Sequence, residues 1–173
     1  MRMRLLQPNP VRNNERGTSY LELLCVLGII GVVSGIAIPA LSNAANRNKV
    51  YSGTQLVSAA IRNARLAAIS RNATYRVRFQ CPSAGAVRVL LVTGNAAVDN
   101  AANRCSTNVA EDGPSMFLPQ GVTYGTVPTL EVNGRGQMSV PLAAMPLTIT
   151  VSYENFSQTL SITATGRVTT PSS

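Results

Sequence analysis

The sequence predicts an α+β protein in which one long N-terminal helix packs on an antiparallel β-sheet. Three features of the 173 residues carry this prediction: an uncharged apolar run near the N-terminus, apolar residues at helical spacing after it, and short alternating segments separated by Gly, Pro and Asn. Apolar residues make up 45% of the chain, enough for a packed core, whereas charged residues make up only 13%. This composition disfavours a disordered chain.

The uncharged run covers residues 23–41 and is long enough to cross a membrane. As a helix it would reach about 28 Å, close to the hydrocarbon thickness of a bilayer. It exceeds the apolar core of a secretory signal peptide, and a chain of this size cannot surround a helix that is apolar on every side. The basic segment ahead of it, residues 1–16, has Glu15 as its one acid and contains four arginines, namely Arg2, Arg4, Arg12 and Arg16. The positive-inside rule therefore predicts a single-pass protein with its N-terminus in the cytoplasm and the chain after Leu41 outside.

Glu22 stands at the leading edge of this run, where a carboxylate is costly unless a partner neutralises it. The surrounding residues 16–24, RGTSYLELL, resemble the processing site of type IV prepilins and pseudopilins. The resemblance implies that a prepilin peptidase cuts between Gly17 and Thr18 and N-methylates Thr18. It also implies that Glu22, the fifth mature residue, pairs with the terminal amine of a neighbouring subunit, and that Pro39 matches the family's helix kink.

The same resemblance divides the chain into parts. Residues 1–17 would be a cytoplasmic leader that is removed, and residues 18–41 would be the transmembrane and assembly half of the helix. Residues 42–173 would form an exported pilin-like domain. Within that domain the helix is expected to continue to about residue 71, as its amphipathic half at 42–71, and the β-sheet is expected over about 74–169.

The amphipathic half is predicted from apolar residues that recur at helical spacing, uninterrupted by Pro. The apolar stripe consists of Val50, Val57, Ile61, Ala64 and Ala68. The residues expected on the opposite, solvent-facing side are Arg47, Thr54, Ser58, Arg62 and Arg65. The stripe would pack on the sheet.

After residue 72 the period changes from helical to alternating, as in TYRVRFQ at residues 74–80. Gly, Pro and Asn then separate further apolar segments. The predicted strands cover residues 74–80, 87–93, 116–118, 129–132, 138–140, 147–153 and 158–164.

Three internal motifs narrow the resemblance to the GspH/FimT family of minor pilins and pseudopilins. Residues 64–72, ARLAAISRN, resemble the ARxxAixRn stretch of that family. Residues 132–136, VNGRG, resemble its mid-domain turn, and residues 165–168, TGRV, resemble its C-terminal Gly-Arg ending. With the N-terminal signature, the likeness runs from residue 16 to about residue 169.

The three cysteines divide by compartment. Cys25 lies within the span and is expected to act as a small apolar residue. Cys81 and Cys105 lie in the exported part, where an oxidising environment favours a disulfide over two free thiols. That bridge would close residues 82–104, rich in Gly, Ala and Asn, and would contribute about 3 kcal/mol in the chain-entropy model.

Positive charge exceeds negative charge throughout: the chain carries +8, and residues 18–173 carry 11 basic and six acidic residues, or +5. Basic surfaces attract phosphate chains. Some FimT-like minor pilins are implicated in DNA uptake through a Gly-Arg-x-Arg ending, and the resemblance carries this role to Arg167 alone, because Thr169 replaces the second Arg. Arg76 and Arg78 share one strand face and form the best local pair. The alternative is that these arginines are solvated or form salt bridges.

The absence of His excludes a Ser-His-Asp triad, a Cys-His dyad and a His-bearing metal site. No paired carboxylates or activated nucleophile indicate an enzyme, and no cofactor or metal is expected. The resemblance implies a GspH-like minor pseudopilin of the type II secretion system, a structural subunit of a short filament anchored in the bacterial inner membrane. Its partners would be the prepilin peptidase, other pseudopilins or pilins through the N-terminal helix, and the inner membrane.

Two other interpretations stay open. The first is a FimT-like type IV minor pilin for pilus biogenesis or for DNA binding and uptake. The second is a signal-anchored periplasmic domain unrelated to filaments. Pseudopilins and minor pilins share every sequence feature used above, so the sequence does not discriminate between their machines.

Overall fold

The computed structural model describes residues 17–107, 109–141 and 143–170. The expected leader therefore lies outside the described residues, except for Gly17. The described chain forms two compact units that divide between Leu41 and Ser42, at the end of the uncharged run. One helix, α1 (Tyr20–Arg71), contains 52 residues and begins in the first unit.

In the first unit, the residues of α1 are exposed at almost every position. Large apolar side chains face outward all around the helix, for example Ile36, which is 74% exposed. Within the described residues α1 is the one helix whose length and apolar composition suit a membrane crossing. A helix satisfies its own backbone hydrogen bonds, which is what a lipid environment requires.

In the second unit, α1 buries one face against β-strands. All five predicted stripe residues from Val50 to Ala68 are buried. The predicted polar face is wrong at Thr54 and Ser58, because both are buried. These small side chains belong to the contact face, and the Thr54 hydroxyl donates to the Val50 carbonyl oxygen at 2.8 Å, so its burial leaves no donor unpaired.

The helix ends where Asn72 adopts a left-handed conformation with φ of 47°. The amide of Ala73 donates to the Ala68 carbonyl oxygen at 3.1 Å, which satisfies a carbonyl that the helix leaves without a partner. Asn tolerates this conformation better than most residues. The chain then turns directly into the first strand.

Within the described residues, nine strands and one short helix follow α1. In chain order they are β1 (Tyr75–Phe79), β2 (Ala86–Leu91), α2 (Ala96–Asp99), β3 (Ser115–Phe117), β4 (Thr123–Tyr124), β5 (Leu130–Val132), β6 (Met138–Ser139), β7 (Leu147–Tyr153), β8 (Phe156–Ile162) and β9 (Val168–Thr169). The strands form two sheets, ordered β3-β2-β1-β5-β6 and β4-β7-β8-β9. Every strand pair is antiparallel.

The predicted fold class is confirmed, with one correction: the single expected sheet is two sheets. The seven predicted strands are all present, with ends shifted by two residues or fewer. The two strands that the sequence did not predict, β4 and β9, have only two residues each, too few to show alternation. Strand β4 pairs with β7 and forms one edge of the second sheet.

Both sheets share one core with the second half of α1. Alternate residues of β1 and β7 face this core, including Val77, Ile149 and Val151. The Tyr124 ring meets the Phe79 ring edge-on at 5.6 Å between centroids. The Tyr124 hydroxyl accepts from the Gln80 amide at 2.8 Å and donates to the Ala86 carbonyl oxygen, which ties the second sheet to the first. Burial raises the pKa of Tyr124, so this hydroxyl stays protonated.

Candidate functional site

The N-terminal segment places the predicted processing bond outside the helix. Gly17, Thr18 and Ser19 are exposed and precede α1, which begins at Tyr20. The first turn closes where the Leu23 amide donates to the Ser19 carbonyl oxygen at 3.1 Å. Apart from its chain neighbours, no atom of the described residues lies within 4 Å of the position a Cβ would take at Gly17. Among the described residues, nothing therefore covers the Gly17–Thr18 peptide bond on the Gly17 side.

Glu22 lies in the first turn of α1, where the helix dipole favours a negative charge. Its side chain is exposed and has no hydrogen-bond or ion-pair partner among the described residues. Pro39 lies inside the same helix and is also exposed. Lacking an N–H, Pro39 removes one backbone hydrogen bond from the helix.

The apolar side chains of this segment are uncovered. Those at least 46% exposed are Tyr20, Leu21, Leu23, Leu24, Val26, Leu27, Ile29, Ile30, Val32, Val33, Ile36, Ile38 and Leu41. An apolar surface this continuous needs lipid or other helices to cover it. The free thiol of Cys25 belongs to the same exposed surface.

The three internal motifs meet at the C-terminal end of α1. Arg65, from the first motif, packs against Gly136 and Gly166, from the other two: its Nε would lie 3.0 Å from a Cβ at either glycine. Both glycines have positive φ, 75° and 80°, which favours Gly for conformational reasons as well. This convergence joins residues separated by up to 101 positions and is not deducible from their spacing.

A second contact at this place involves Gly134 and the helix end. A Cβ at Gly134 would lie 3.0 Å from the carbonyl carbon of Asn72 and 3.1 Å from its Cα. The turn is held by Asn133, whose Oδ1 accepts from the amides of Arg135 and Gln137, both at 3.0 Å. The VNGRG turn therefore lies directly on the backbone that ends the helix.

The candidate DNA-binding residues fall into two groups. Arg167 is exposed in a turn whose Gly166 contacts Arg65, and Arg135 is exposed in the other turn that contacts Arg65. Arg76 and Arg78 instead lie on the first sheet, on the face of β1 opposite the core. The structure therefore joins Arg167 with Arg135, which the sequence did not select, rather than with the strand pair.

Arg76 is already engaged. Its Nη2 and Nε donate to Glu131 Oε1 at 2.7 and 3.0 Å. Its Nη1 donates to the Asp99 carbonyl oxygen at 3.1 Å and to Asn100 Oδ1 at 3.2 Å. These contacts fit the salt-bridge alternative for Arg76, and they leave Arg78 as the free member of the predicted pair.

The expected disulfide is present: Cys81 and Cys105 are bonded, with 5.2 Å between their Cα atoms. It anchors the covering segment, residues 92–114, which includes α2 and lies over the outer face of the first sheet. Leu90 and Arg88 on that face are 1% and 5% exposed. Arg88 donates to the carbonyl oxygens of Cys105 and Gly113, at 2.6 and 3.2 Å.

A buried ion pair holds the covering segment, and no sequence pattern indicated it. Arg104 donates to both carboxylate oxygens of Asp112, at 2.6 and 2.8 Å, and also to the Leu91 carbonyl oxygen at 2.9 Å. Asp112 further accepts from the amides of Leu91 and Val109, at 2.9 and 3.0 Å. Burial alone would raise the pKa of Asp112, but these hydrogen bonds and the Arg104 charge lower it.

Asp99 has a similar role at the other end of the covering segment. It accepts from the amide and hydroxyl of Thr93, both at 2.9 Å, and from the Gly94 amide at 3.0 Å. Burial opposes ionisation, yet the hydrogen bonds and the nearby Arg76 charge lower the pKa of Asp99. Both aspartates therefore act as structural anions.

Comparisons with known proteins give a relative by sequence and similar folds among solved structures. No family model matches the chain. The chain is 35% identical over 140 residues to the pilin-like protein PilA1 of Thermus thermophilus, covering 75% of this chain and 83% of that protein. The type IV minor pilin FimU of Pseudomonas aeruginosa has a similar fold, with a TM-score of 0.54 and 15% identity over 73% of this chain and 90% of that one. The minor pseudopilin EpsH from the type 2 secretion system of Vibrio cholerae gives a TM-score of 0.48 and 13% identity, over 70% and 95% of the two chains.

Proposed function

The chain belongs to the family of pilin-like proteins, and we propose that it is a minor pilin or pseudopilin, a structural subunit, not an enzyme, of a filament anchored in the bacterial inner membrane. The first unit would hold the subunit in the membrane before assembly and pack against neighbouring subunits in the filament. The second unit, from Ser42 onward, would lie on the periplasmic side.

One observation carries this proposal: Glu22 is an exposed carboxylate without a partner, in the first turn of a helix whose apolar side chains are uncovered. A lone carboxylate at the lipid boundary is costly, and a cation brought close to it removes that cost. A terminal amine at Thr18 of a neighbouring subunit would be such a cation.

The proposed assembly has three steps. A prepilin peptidase cuts the accessible bond between Gly17 and Thr18 and N-methylates Thr18. The new amine of one subunit then pairs with Glu22 of the next, while the apolar surfaces of their helices cover each other. Pro39 loosens the helix and lets it adapt to its neighbours.

Of the two machines, we place the type IV pilus first and the type II secretion system second. The support is the pilin-like relative, since fold similarity alone does not separate the two. The genes adjacent to this one give a direct test, because secretion-channel genes would favour a GspH-like pseudopilin and pilus or competence genes would favour a minor pilin.

We expect Glu22→Ala and Glu22→Gln to be cleaved normally but to enter filaments about tenfold less, or worse. The reason is that losing the charge pair costs more than about 1.4 kcal/mol, the equivalent of a factor of ten. Mass spectrometry of protein from cell envelopes would report the N-terminus, and quantitative immunoblots of sheared filaments would report incorporation.

Glu154→Gln is the matched control for this experiment, since Glu154 is an exposed carboxylate of the second unit. Both cleavage and incorporation should stay normal in this variant. Normal incorporation of Glu22→Ala would contradict the assembly role. A wild-type protein that still carries residues 1–17 would contradict the processing step and would support the signal-anchor alternative.

A second candidate function, DNA binding by a minor pilin, is favoured by the meeting of two exposed arginine turns at Arg65. Arg135 and Arg167 flank the glycines that contact that side chain, so their charges belong to one surface. The strand pair adds little to it, because Arg76 is held by Glu131.

A further inference from the structure

The outer face of the first sheet contains a pocket of about 450 Å³ beside Arg78. Apolar side chains form its walls, namely Val127, Pro128, Val140 and Pro141, and Asn100 adds a polar edge. All of these residues belong to the second unit. The pocket therefore combines an apolar surface with a guanidinium group.

Arg78 is half-buried and has no hydrogen-bond or ion-pair partner among the described residues. Its Nη1 atom is buried without a partner. A buried donor left unpaired costs free energy, and native structures rarely keep one. An anion bound at Arg78 would accept a hydrogen bond from this donor.

The two arginines nearest to Arg78 in the sheet are engaged elsewhere. Arg88 lies directly opposite it on β2, but its side chain donates to the Cys105 and Gly113 carbonyl oxygens and lies 3.9 Å from Asp112. Arg76 lies two residues away on the same face, but Glu131 neutralises its charge. The cation that remains for a ligand in the pocket is Arg78.

Asn100 supplies a second donor. Its Oδ1 accepts from Arg76 Nη1 at 3.2 Å, so the side-chain NH2 group is left to donate at the pocket. A guanidinium and an amide beside an apolar wall suit a carboxylate that is attached to an apolar group.

We infer that this pocket binds an acidic side chain flanked by an apolar residue, presented by a protein other than this chain. The carboxylate would accept hydrogen bonds from Arg78 and Asn100, and the apolar neighbour would lie against the proline and valine walls. The inference goes beyond the proposed function and does not require it.

Charge explains why the partner is a different protein. The exported unit carries five acidic side chains, and each already has a hydrogen-bond or ion-pair partner: Asp99, Glu111, Asp112, Glu131 and Glu154. A second copy would bring 11 basic residues against these five. Complementarity therefore favours an acidic partner.

A nucleic acid fits the pocket less well. Binding of a phosphate chain draws on several cations spread along a surface, whereas of the two guanidinium groups that line this pocket one, Arg76, is paired with Glu131. Among the described residues, no aromatic side chain lines the pocket for base stacking.

The test is an NMR titration of the isotopically labelled full chain in detergent micelles. The probe is the capped peptide acetyl-Val-Glu-Leu-amide, and the matched peptide replaces Glu with Gln. We expect shifts of the Arg78 Nε–H signal and of amides around the pocket, with the Glu peptide binding about tenfold more tightly than the Gln peptide. Arg78→Gln should abolish that difference, whereas Arg62→Gln, an exposed arginine on α1 outside the pocket, should preserve it.

Thr129→Glu is a second variant in case Arg78→Gln does not fold. It places a carboxylate at the pocket lining and should weaken the Glu peptide by competing for Arg78. Equal affinity for the two peptides, or no binding at about 10 mM, overturns the inference. So does tighter binding of inorganic phosphate or of a single-stranded dT12 oligonucleotide at the same residues. The titration measures neither cleavage nor filament incorporation. A negative titration therefore contradicts the inference about the pocket and leaves the proposed function unaffected.

Discussion

At the scale of single residues, the glycines of the internal motifs have different physical reasons to be glycine. Gly136 and Gly166 have positive φ, and the atoms they approach belong to the flexible side chain of Arg65, or of Ile69. Gly134 has no positive φ, but it approaches backbone atoms of Asn72, which cannot move aside without disturbing the helix end. Steric exclusion is therefore strongest at Gly134.

We expect Gly134→Ala to lower the free energy of unfolding by about 1–3 kcal/mol, because the added methyl group would overlap the helix end. Urea unfolding of the full chain in micelles would measure the change. Gly125→Ala is the control, since no atom lies within 4 Å of its Cβ position and its φ is not positive. That variant should be neutral or slightly stabilised, and an equal loss in both variants would contradict the contact.

Residue types alone predicted part of the candidate site. Gly17, Thr18 and Glu22 were selected because their order resembles a known processing site, and their exposure is consistent with that role. Arg78 was selected as one of a pair for phosphate, but its partner Arg76 is bound to Glu131 across the sheet. The ion pair forms because the register of β1 and β5 places Arg76 opposite Glu131, and this register cannot be read from a single sequence.

At the scale of elements, the strongest periodic patterns were predicted and the weak ones were not. Strand β7 alternates buried and exposed residues over its length, so its bounds agree with the expectation at both ends. Strand β9 has two half-buried residues and no pattern of its own. The burial of Thr54 and Ser58 was missed because a close helix-to-sheet contact selects small side chains rather than apolar ones.

The covering segment is an element defined by its bonds rather than by regular structure. Its disulfide fixes one point, and Arg104 with Asp112 fixes another against the end of β2. A buried pair like this one stabilises little over an apolar replacement, but removing one partner leaves an uncompensated charge.

We expect Asp112→Asn to cost about 3–5 kcal/mol at pH 7, because Arg104 would stay buried without its anion. The folded pKa of Asp112 is lowered from an ordinary value of about 3.9, so its contribution is fully present above that pH and is lost as the pH falls through the folded pKa. The wild type should therefore lose more stability on acidification than the variant does.

Urea unfolding at pH 7 and at about pH 3 would test both parts of this expectation. Glu154→Gln is the control, since Glu154 is exposed, and it should change neither the stability nor its pH dependence. Equal acid sensitivity of wild type and Asp112→Asn would show that these contacts do not lower the pKa of Asp112 in the folded protein.

At the scale of the whole molecule, part of the positive charge is neutralised by ion pairs within the protein. Three arginines form ion pairs with acidic residues at 2.6–2.8 Å: Arg71, Arg76 and Arg104. The exposed arginines Arg135 and Arg167 have no such partner among the described residues. These pairs leave the net charge of +5 on residues 18–173 unchanged, but they place part of the unpaired positive charge at the turns beside Arg65.

The exposed charge of Arg135 and Arg167 should bind DNA independently of the pocket at Arg78. We expect the full chain in micelles to bind a DNA duplex weakly and without sequence preference, with an affinity that falls steeply as salt rises. The double variant Arg135→Gln, Arg167→Gln should reduce the slope of log affinity against log salt by about 1.8, since each released phosphate contact accounts for about 0.9. Fluorescence anisotropy over a range of NaCl concentrations would measure the slope. Arg78→Gln should leave it unchanged, because that guanidinium lies in a pocket on the first sheet; the reverse result would move DNA binding to β1 and would also count against a carboxylate as the ligand of that pocket.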